Sequence, residues 1–222
     1  MQSTFVSNGR QIRLDATIPT TPGLHPAILI LHGSGGNTSF WLDRIAPFIG
    51  RLNIALFAIH YFDATGDTQA VPSQFADGVH IPLWLQAARD GLAHIASNPA
   101  IDPTRIALIG VSLGAFMSLT LGTESGRNSH PKLRCIVDIS GGLIPPWDAH
   151  ATSAFPPTLI LHGDSDTVVP VANALNLAAL LTRLDVPHKL QTLPHEGHWF
   201  SPAATLRLVG AIAPFLGGYL QP

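Results

Sequence analysis

Short apolar runs, each of the length of one buried strand, recur along the chain and alternate with segments of helical length. The runs are AILIL (27–31), IALFAI (54–59), RIALIG (105–110), CIVDIS (135–140), TLILH (158–162) and HKLQTL (188–193). The helical segments lie at about 39–50, 82–97, 112–122, 170–184 and 201–216. Strands joined by crossover helices pair in parallel. The sequence therefore predicts an α/β fold with a mostly parallel central sheet and helices on both faces.

The chain begins with two short extended runs, 2–7 and 10–17, joined by Asn8-Gly9. This pair favours a type I′ turn, so an N-terminal hairpin is predicted. With 222 residues, 46% hydrophobic and 12% charged, the chain suits one sizeable core. We expect a single domain over 1–222. The Pro/Gly-rich stretch 141–157 has the length of a loop, which leaves no room for a cap domain.

The charge and composition of the chain limit the classes of binding partner and the cellular location that we expect. The formal net charge is −2 and no basic run is present, so nucleic acid is not expected. The stretch LVGAIAPFLGGYL is shorter than the roughly 20 residues of a membrane helix and contains Pro214, so no membrane span is expected. The single Cys135 cannot form an intrachain disulfide, and the start MQSTFVSNGRQ lacks a leader pattern. A cytoplasmic monomer or homodimer is the expectation.

The apolar run RIALIG leads directly into Gly110-Val111-Ser112-Leu113-Gly114 and then into a helical segment. Strand, sharp turn and helix form the context that the G-x-S-x-G motif requires, and such a turn exposes the serine hydroxyl. Glycines two residues either side avoid collisions with neighbouring backbone. Ser112 is therefore the predicted nucleophile. The alternative is a serine that only caps a helix at a glycine-flanked turn, which would produce the same sequence motif.

A serine nucleophile needs a base and a third group that orients the base, here in the chain order Ser, Asp or Glu, His. Asp166 follows the run TLILH in HGDSDTVVP and is the predicted acid. Asp164 in the same loop is the nearest alternative. Asp138 lies inside a predicted strand, where its charge would have to be neutralised.

The predicted base is His198, in the run LPHEGHWF after the last strand. Gly197 gives the backbone before it freedom to aim the ring. His195 is the alternative, but it adjoins the strand end, where its ring could simply bond to the backbone.

Negative charge that develops on an ester carbonyl oxygen needs two N–H donors. Leu113, directly after the nucleophile, is predicted to supply one. The loop His32–Gly36 should supply the other, with Ser34 first and Gly35 next. This loop lacks G-x-G-x-x-G and a P-loop lysine, so a nucleotide site is not favoured.

The ordered segments HGSGG, HYFDATGD, GVSLG, HGDSDTVVP and EGHWF resemble those of the dienelactone hydrolase family of α/β hydrolases, over about residues 24–217. The resemblance implies a cofactor-free hydrolase of small esters or lactones with Ser112 as nucleophile, Asp166 as acid and His198 as base. Members that open dienelactones typically carry cysteine at the centre of the elbow. The oxyanion loop here offers Ser34 and Asn37 without Glu or Arg. A carboxylesterase therefore fits better than a dienelactone hydrolase.

Aromatic residues near these loops are candidates for a shallow, open substrate site. Trp147, Trp199, Phe62 and Gly35 are the predicted substrate contacts, Phe40 and Trp41 are further candidates, and Trp84 fits core packing better. Three alternatives to an esterase stay open: a lactone hydrolase, a peptidase, and a non-catalytic binding module on the same fold.

Overall fold

The computed structural model describes residues 1–38, 42–43, 46, 52–124 and 131–221, and these residues form an eight-stranded sheet. The strands are β1 (Gln2–Ser7), β2 (Arg10–Thr17), β3 (His25–Leu31), β4 (Ala55–Ile59), β5 (Ile101–Val111), β6 (Leu133–Ile139), β7 (Thr158–Gly163) and β8 (His188–Leu193). Their order is β1-β2-β4-β3-β5-β6-β7-β8. The pairs β1–β2 and β2–β4 are antiparallel and the others are parallel. The mostly parallel sheet is as predicted.

Four helices flank the sheet in the described residues: α1 (His80–Ala96), α2 (Leu113–Gly122), α3 (Ala172–Arg183) and α4 (Pro202–Leu220). Strand side chains alternate between two apolar cores, as in β3, where Leu29 contributes to one core and Ile28 to the other. Helices α1, α2 and α3 cover the first face, and α4 covers the second. Helices on both faces are confirmed, whereas most of the helix predicted at 39–50 lies outside the described residues.

The N-terminal hairpin is present as predicted. Its turn residues Asn8 and Gly9 have φ values of 46° and 75°, as a type I′ turn requires. Helix α1 begins at His80, two residues before Pro82, because a carboxylate oxygen of Asp77 accepts hydrogen bonds from the backbone N–H groups of Val79 and His80 at 2.8 and 3.0 Å.

Helix α4 corrects the expectation that this apolar stretch is short and is interrupted at Pro214. The helix continues through Pro214 and reaches 19 residues, so it is long and apolar enough to cross a membrane by length and composition. Proline removes one backbone hydrogen bond, to the carbonyl of Gly210, and both residues lie on the exposed side of the helix. On the opposite side, five residues spaced by four pack into the second core: Ala204, Leu208, Ile212, Leu216 and Leu220.

The segment between β6 and β7 is a loop, as expected. Within it the structure has a single 3₁₀ turn, Trp147–His150, and no cap helix. The carboxyl ends of the central strands are therefore not covered by an insertion at this point, and it is at these ends that the candidate site residues meet.

Candidate active site

Ser112 sits at a strained turn between β5 and α2. Its φ of 53° and ψ of −119° are unusual for a residue with a side chain. A Cβ at Gly110 would collide with the α2 backbone, and one at Gly114 would collide with the carbonyl oxygens of Leu31 and His32. The two glycines of the motif are therefore required by close backbone contacts on both sides of the turn.

The structure brings the three predicted side chains into one hydrogen-bonded chain. Nε2 of His198 lies 2.9 Å from Oγ of Ser112, and Nδ1 of His198 lies 2.7 Å from Oδ2 of Asp166. Ser112 follows β5, Asp166 lies in the loop after β7, and His198 lies in the loop after β8. Parallel strands place these three loops at the same edge of the sheet.

Asp166 is held as a carboxylate. Burial alone would raise its pKa, but hydrogen bonds from His198 and from the backbone N–H groups of Val169 and Val168 outweigh burial and lower the pKa below its ordinary value. The two backbone groups donate to Oδ1 at 2.9 and 2.8 Å, which leaves Oδ2 for the histidine. An ionised carboxylate only accepts hydrogen bonds, so Nδ1 of His198 carries a proton and Nε2 of the neutral ring accepts from Ser112.

The alternative acids and base lie in other environments. Asp164 is exposed and accepts hydrogen bonds from the backbone N–H of His195 and the hydroxyl of Ser165. The His195 ring is not part of the Ser112 chain. Asp138 is fully buried in β6, and burial raises its pKa to about 8, which a weak interaction with the Gly141 N–H offsets only in part.

A second histidine contacts the acid loop and was missed by the sequence analysis. His162, fully buried at the end of β7, places Nε2 2.8 Å from the carbonyl oxygen of Val169 and 3.5 Å from Oδ2 of Asp166. Its donor hydrogen bond ties the loop that carries Asp166 to the strand before it. The histidine of the HGD run, immediately before the loop, was the available signal.

The loop after β3 lies directly against Ser112. A Cβ at Gly33 would come within 3.3 Å of the Cβ of Ser112. Behind it His32 stacks on Tyr61 with ring centroids 4.0 Å apart, and the Tyr61 hydroxyl donates to the His32 carbonyl at 2.7 Å. Burial lowers the pKa of His32 to about 4, so this ring is neutral and the support for the loop is uncharged.

The two predicted oxyanion donors flank Ser112. Leu113 is the first residue of α2, where a backbone N–H has no acceptor within its own helix. Ser34 lines both cavities described below, and its carbonyl oxygen accepts a hydrogen bond from the Ala70 N–H at 2.7 Å. This bond fixes the loop orientation beside the nucleophile.

Two cavities meet at Ser112. The first, of about 360 Å³, follows α2 and is called the α2 cavity. Its walls are Ser34, Phe75, Ile81, Leu85, Ser112, Leu113, Phe116, Met117, Thr120, Gly142, Ile144, Trp147, Val168 and Val169. The second, of about 490 Å³, lies towards α4 and is called the α4 cavity. Its walls are Gly33–Asn37, Val111, Ser112, His198, Trp199, Phe200, Thr205 and Leu208. The described walls thus form two recesses that share Ser34 and Ser112.

Three of the four predicted substrate contacts line a cavity. Trp147 borders the α2 cavity, while Gly35 and the 82%-exposed Trp199 border the α4 cavity. The prediction for Phe62 is wrong: it is 3% exposed, packs against His32 and Trp84, and lines neither cavity.

Two further aromatic candidates, Phe40 and Trp41, lie outside the described residues. Trp84 is fully buried, as core packing requires. The α2 residues that line the first cavity are spaced by three and four (Leu113, Phe116, Met117, Thr120), so they share one side of the helix, but the other sides of α2 are apolar too and the sequence does not single this side out.

Cys135 is buried in β6, and burial raises the pKa of its thiol to about 12. It is chemically inert at neutral pH, in keeping with a structural role. Among the residues that the structure describes, no three His, Cys, Asp or Glu side chains come together as metal ligands.

Sequence comparisons point to α/β hydrolases. The model of the prolyl oligopeptidase family matches residues 145–222, the part that contains Asp166 and His198 but not Ser112. NocK of Nocardia uniformis subsp. tsuyamanensis, a protein proposed to be an esterase, is 26% identical over 166 residues, 72% of this chain and 46% of NocK. The chain therefore spans about half the length of this relative.

Solved structures resemble the whole chain. A dienelactone hydrolase-like promiscuous phosphotriesterase from metagenomic libraries has a TM-score of 0.80 at 19% identity, covering 99% of this chain and 97% of the other. Dienelactone hydrolase from Anabaena variabilis has a TM-score of 0.76 at 18% identity, covering 100% and 98%. The strand order, the uncovered carboxyl ends of the strands and these structural likenesses all indicate the same fold. The chain has the α/β-hydrolase fold, which it shares with these structures.

Proposed function

We propose that this protein is a serine hydrolase of small carboxylic esters that acts through an acyl-enzyme on Ser112, with residues 1–222 working as one cytoplasmic catalytic domain. The observation that carries the proposal is the hydrogen-bonded chain from Ser112 Oγ through His198 to Asp166, with distances of 2.9 and 2.7 Å. A nucleophile, a base and a carboxylate that orients the base are the groups that acyl transfer requires.

In the first step, Nε2 of His198 takes the proton of the Ser112 hydroxyl while Oγ bonds to the ester carbonyl carbon. The tetrahedral intermediate collapses when the bond to the leaving oxygen breaks, and His198 gives that oxygen its proton. Water then attacks the acyl-enzyme, giving one proton to His198, which returns it to Ser112 Oγ as the acid leaves. Asp166 keeps its charge throughout and stabilises the imidazolium that forms twice.

The negative carbonyl oxygen of each intermediate is assigned to the backbone N–H groups of Leu113 and Ser34. In sites of this kind, each such donor stabilises the transition state by about 3 to 4 kcal/mol. The closeness of Gly33 to Ser112, where an added Cβ would come within 3.3 Å of the Ser112 Cβ, supports this assignment, because the loop then lies within reach of an oxygen bonded to the acyl carbon.

An ester suits the site better than a dienelactone. Dienelactones carry a carboxylate, whose burial needs a cationic partner. Among the described residues, neither Lys nor Arg lines either cavity. A neutral substrate is therefore proposed, as is function without a metal or cofactor, since the three side chains suffice for the chemistry.

The test is covalent labelling with a fluorophosphonate together with hydrolysis of p-nitrophenyl butyrate. We expect wild type to label and turn over, and Ser112→Ala to do neither. Ser97→Ala is the matched control, because this exposed serine only donates to the His94 carbonyl. It should behave as wild type.

Two results would overturn the proposal. Wild type that neither labels nor turns over would favour a binding module on the same fold. A Ser112→Ala protein that still labels would place the nucleophile elsewhere.

A further inference from the structure

Each of the two cavities at Ser112 can be assigned to one half of an ester by the route of the proton, given the proposed function. The leaving oxygen receives its proton from Nε2 of His198, so it must depart on the side where the imidazole stands. His198 lines the α4 cavity and not the α2 cavity. The alcohol half therefore belongs in the α4 cavity, and the acyl chain is left with the α2 cavity.

The α2 cavity has the chemistry of a hydrocarbon binding site. Apart from the indole N–H of Trp147, the polar side-chain groups among its described walls are the hydroxyls of Ser34, Ser112 and Thr120, and none of these walls carries a charge. The hydroxyl of Thr120 already donates to the carbonyl oxygen of Phe116 at 2.9 Å, so this residue offers the cavity mainly its methyl group. A carboxylate on the acyl chain would find no cationic partner among these walls.

The length of the cavity follows from α2 itself. Leu113 begins the helix beside the nucleophile, and Thr120 is the wall residue on α2 farthest from Ser112. A helix advances about 1.5 Å per residue, so these residues lie roughly 10 Å apart along the axis. An extended chain advances about 1.3 Å per carbon, given C–C bonds of about 1.5 Å and angles near 111°. The distance matches a chain of roughly eight carbons.

From these observations we propose that the α2 cavity selects neutral, medium-chain acyl groups of about six to eight carbons, with Thr120 setting the upper limit of chain length. Phe116 and Met117 line the middle of the chain path, and Trp147 and Ile144 close it from the loop after β6. The rim carries exposed apolar side chains: Phe75 is 45% and Val168 63% exposed.

The wild-type experiment measures kcat/KM for p-nitrophenyl esters from acetyl to dodecanoyl, so that the leaving group stays constant. The expected profile rises to hexanoyl or octanoyl and falls by dodecanoyl. The p-nitrophenyl monoester of suberic acid has the octanoyl length but ends in a carboxylate. Its kcat/KM should be at least about tenfold below that of the octanoyl ester, because none of the described walls of the cavity is cationic.

Three threonines allow a matched set of variants. Each donates its hydroxyl to the carbonyl four residues earlier: Thr120 in the α2 cavity, Thr205 in the α4 cavity, and Thr182 on the exposed side of α3. Thr120→Phe should lower the octanoyl-to-acetyl ratio of kcat/KM by about tenfold or more, since a few methylenes are displaced. Thr205→Phe should instead lower the ratio of 1-naphthyl to methyl butyrate. Thr182→Phe should change neither ratio.

Thermal denaturation will show whether Thr120→Phe is folded. If it is not, Thr120→Leu, which adds less volume, replaces it and should lower the octanoyl-to-acetyl ratio of kcat/KM by a smaller factor. The inference is wrong if wild type prefers acetyl esters, if the suberic monoester matches the octanoyl ester, or if Thr205→Phe rather than Thr120→Phe changes the acyl profile. The proposed function fails separately: in that case wild type neither takes the fluorophosphonate nor hydrolyses any ester of the series.

Discussion

Replacement of Asp166 by asparagine tests how the base is oriented, because the structure fixes which way the amide must face. Oδ1 accepts hydrogen bonds from the Val168 and Val169 N–H groups at 2.8 and 2.9 Å. An amide nitrogen at that position would meet two donors. The asparagine carbonyl oxygen must therefore stay there, and the NH₂ group must face Nδ1 of His198.

The consequence is a change of tautomer. With an N–H donor opposite it, Nδ1 of His198 becomes an acceptor and the proton moves to Nε2. Nε2 then donates to Ser112 and cannot take the hydroxyl proton. The same substitution in a Ser-His-Asp protease lowers kcat by about 10⁴, which corresponds to roughly 5.5 kcal/mol of transition-state stabilisation. We expect a loss of this order here, with KM changed little because Asp166 lines neither cavity.

The assay compares kcat and KM of wild type, Asp166→Asn and Asp164→Asn on p-nitrophenyl butyrate. Asp164 lies two residues away in the same loop, and its carboxylate accepts hydrogen bonds from the Ser165 hydroxyl and the His195 backbone N–H rather than from His198, so its variant should keep wild-type kcat. Fluorophosphonate labelling of Asp166→Asn should slow in parallel, since it needs the same base. Retention of more than about a tenth of kcat by Asp166→Asn would refute the tautomer argument.

Three further changes have defined outcomes. Gly114→Ala should abolish activity and lower the melting temperature, because its Cβ would collide with the carbonyl oxygens of Leu31 and His32; unchanged activity would contradict the elbow geometry. Asp138 has a folded-state pKa raised to about 8, so its stabilisation is complete below the unfolded pKa near 4 and is lost as pH rises towards 8. The free energy of unfolding of Asp138→Asn should therefore rise relative to that of wild type between these pH values, by up to about 1.4 kcal/mol per pH unit. Urea unfolding at several pH values measures this difference, and a difference that stays constant with pH would contradict the argument. Phe62→Ala should cost about 3 to 5 kcal/mol in the free energy of unfolding, whereas Trp199→Ala, at an 82%-exposed residue, should cost far less; equal costs would contradict their burial.

The strands and the hydrogen-bonded residues could be predicted because each depends on local sequence. Buried parallel strands read as continuous apolar runs, and the elbow, acid and base each follow such a run. Their meeting then follows from the parallel order of the strands. Burial of Asp138 could be anticipated from its strand, although its protonation depends on the absence of a strong partner in the folded protein.

The pocket was harder to predict because it depends on tertiary packing. Phe62 follows β4, as a loop residue at the site would, but the 3₁₀ turn Tyr61–Ala64 directs its ring against His32 and Trp84. The cavity side of α2 was not apparent because the helix is apolar on every side, so its pattern marks no single face. Pro214 similarly suggested an interruption where the exposed side of α4 tolerates a missing hydrogen bond.

The position of the elbow explains why the site has two cavities. Ser112 stands at the end of the central strand β5, at the edge where the two faces of the sheet meet. The α2 cavity is walled by α1 and α2, which cover the first face, and the α4 cavity is walled in part by α4, which covers the second. Among the described walls the two cavities share only Ser34 and Ser112, and each helix residue borders only one of them, so a substitution on a helix should change one cavity and leave the other unchanged. On the proposed assignment of the two cavities, acyl and alcohol preference can therefore vary independently in this protein while Ser112, His198 and Asp166 keep their geometry.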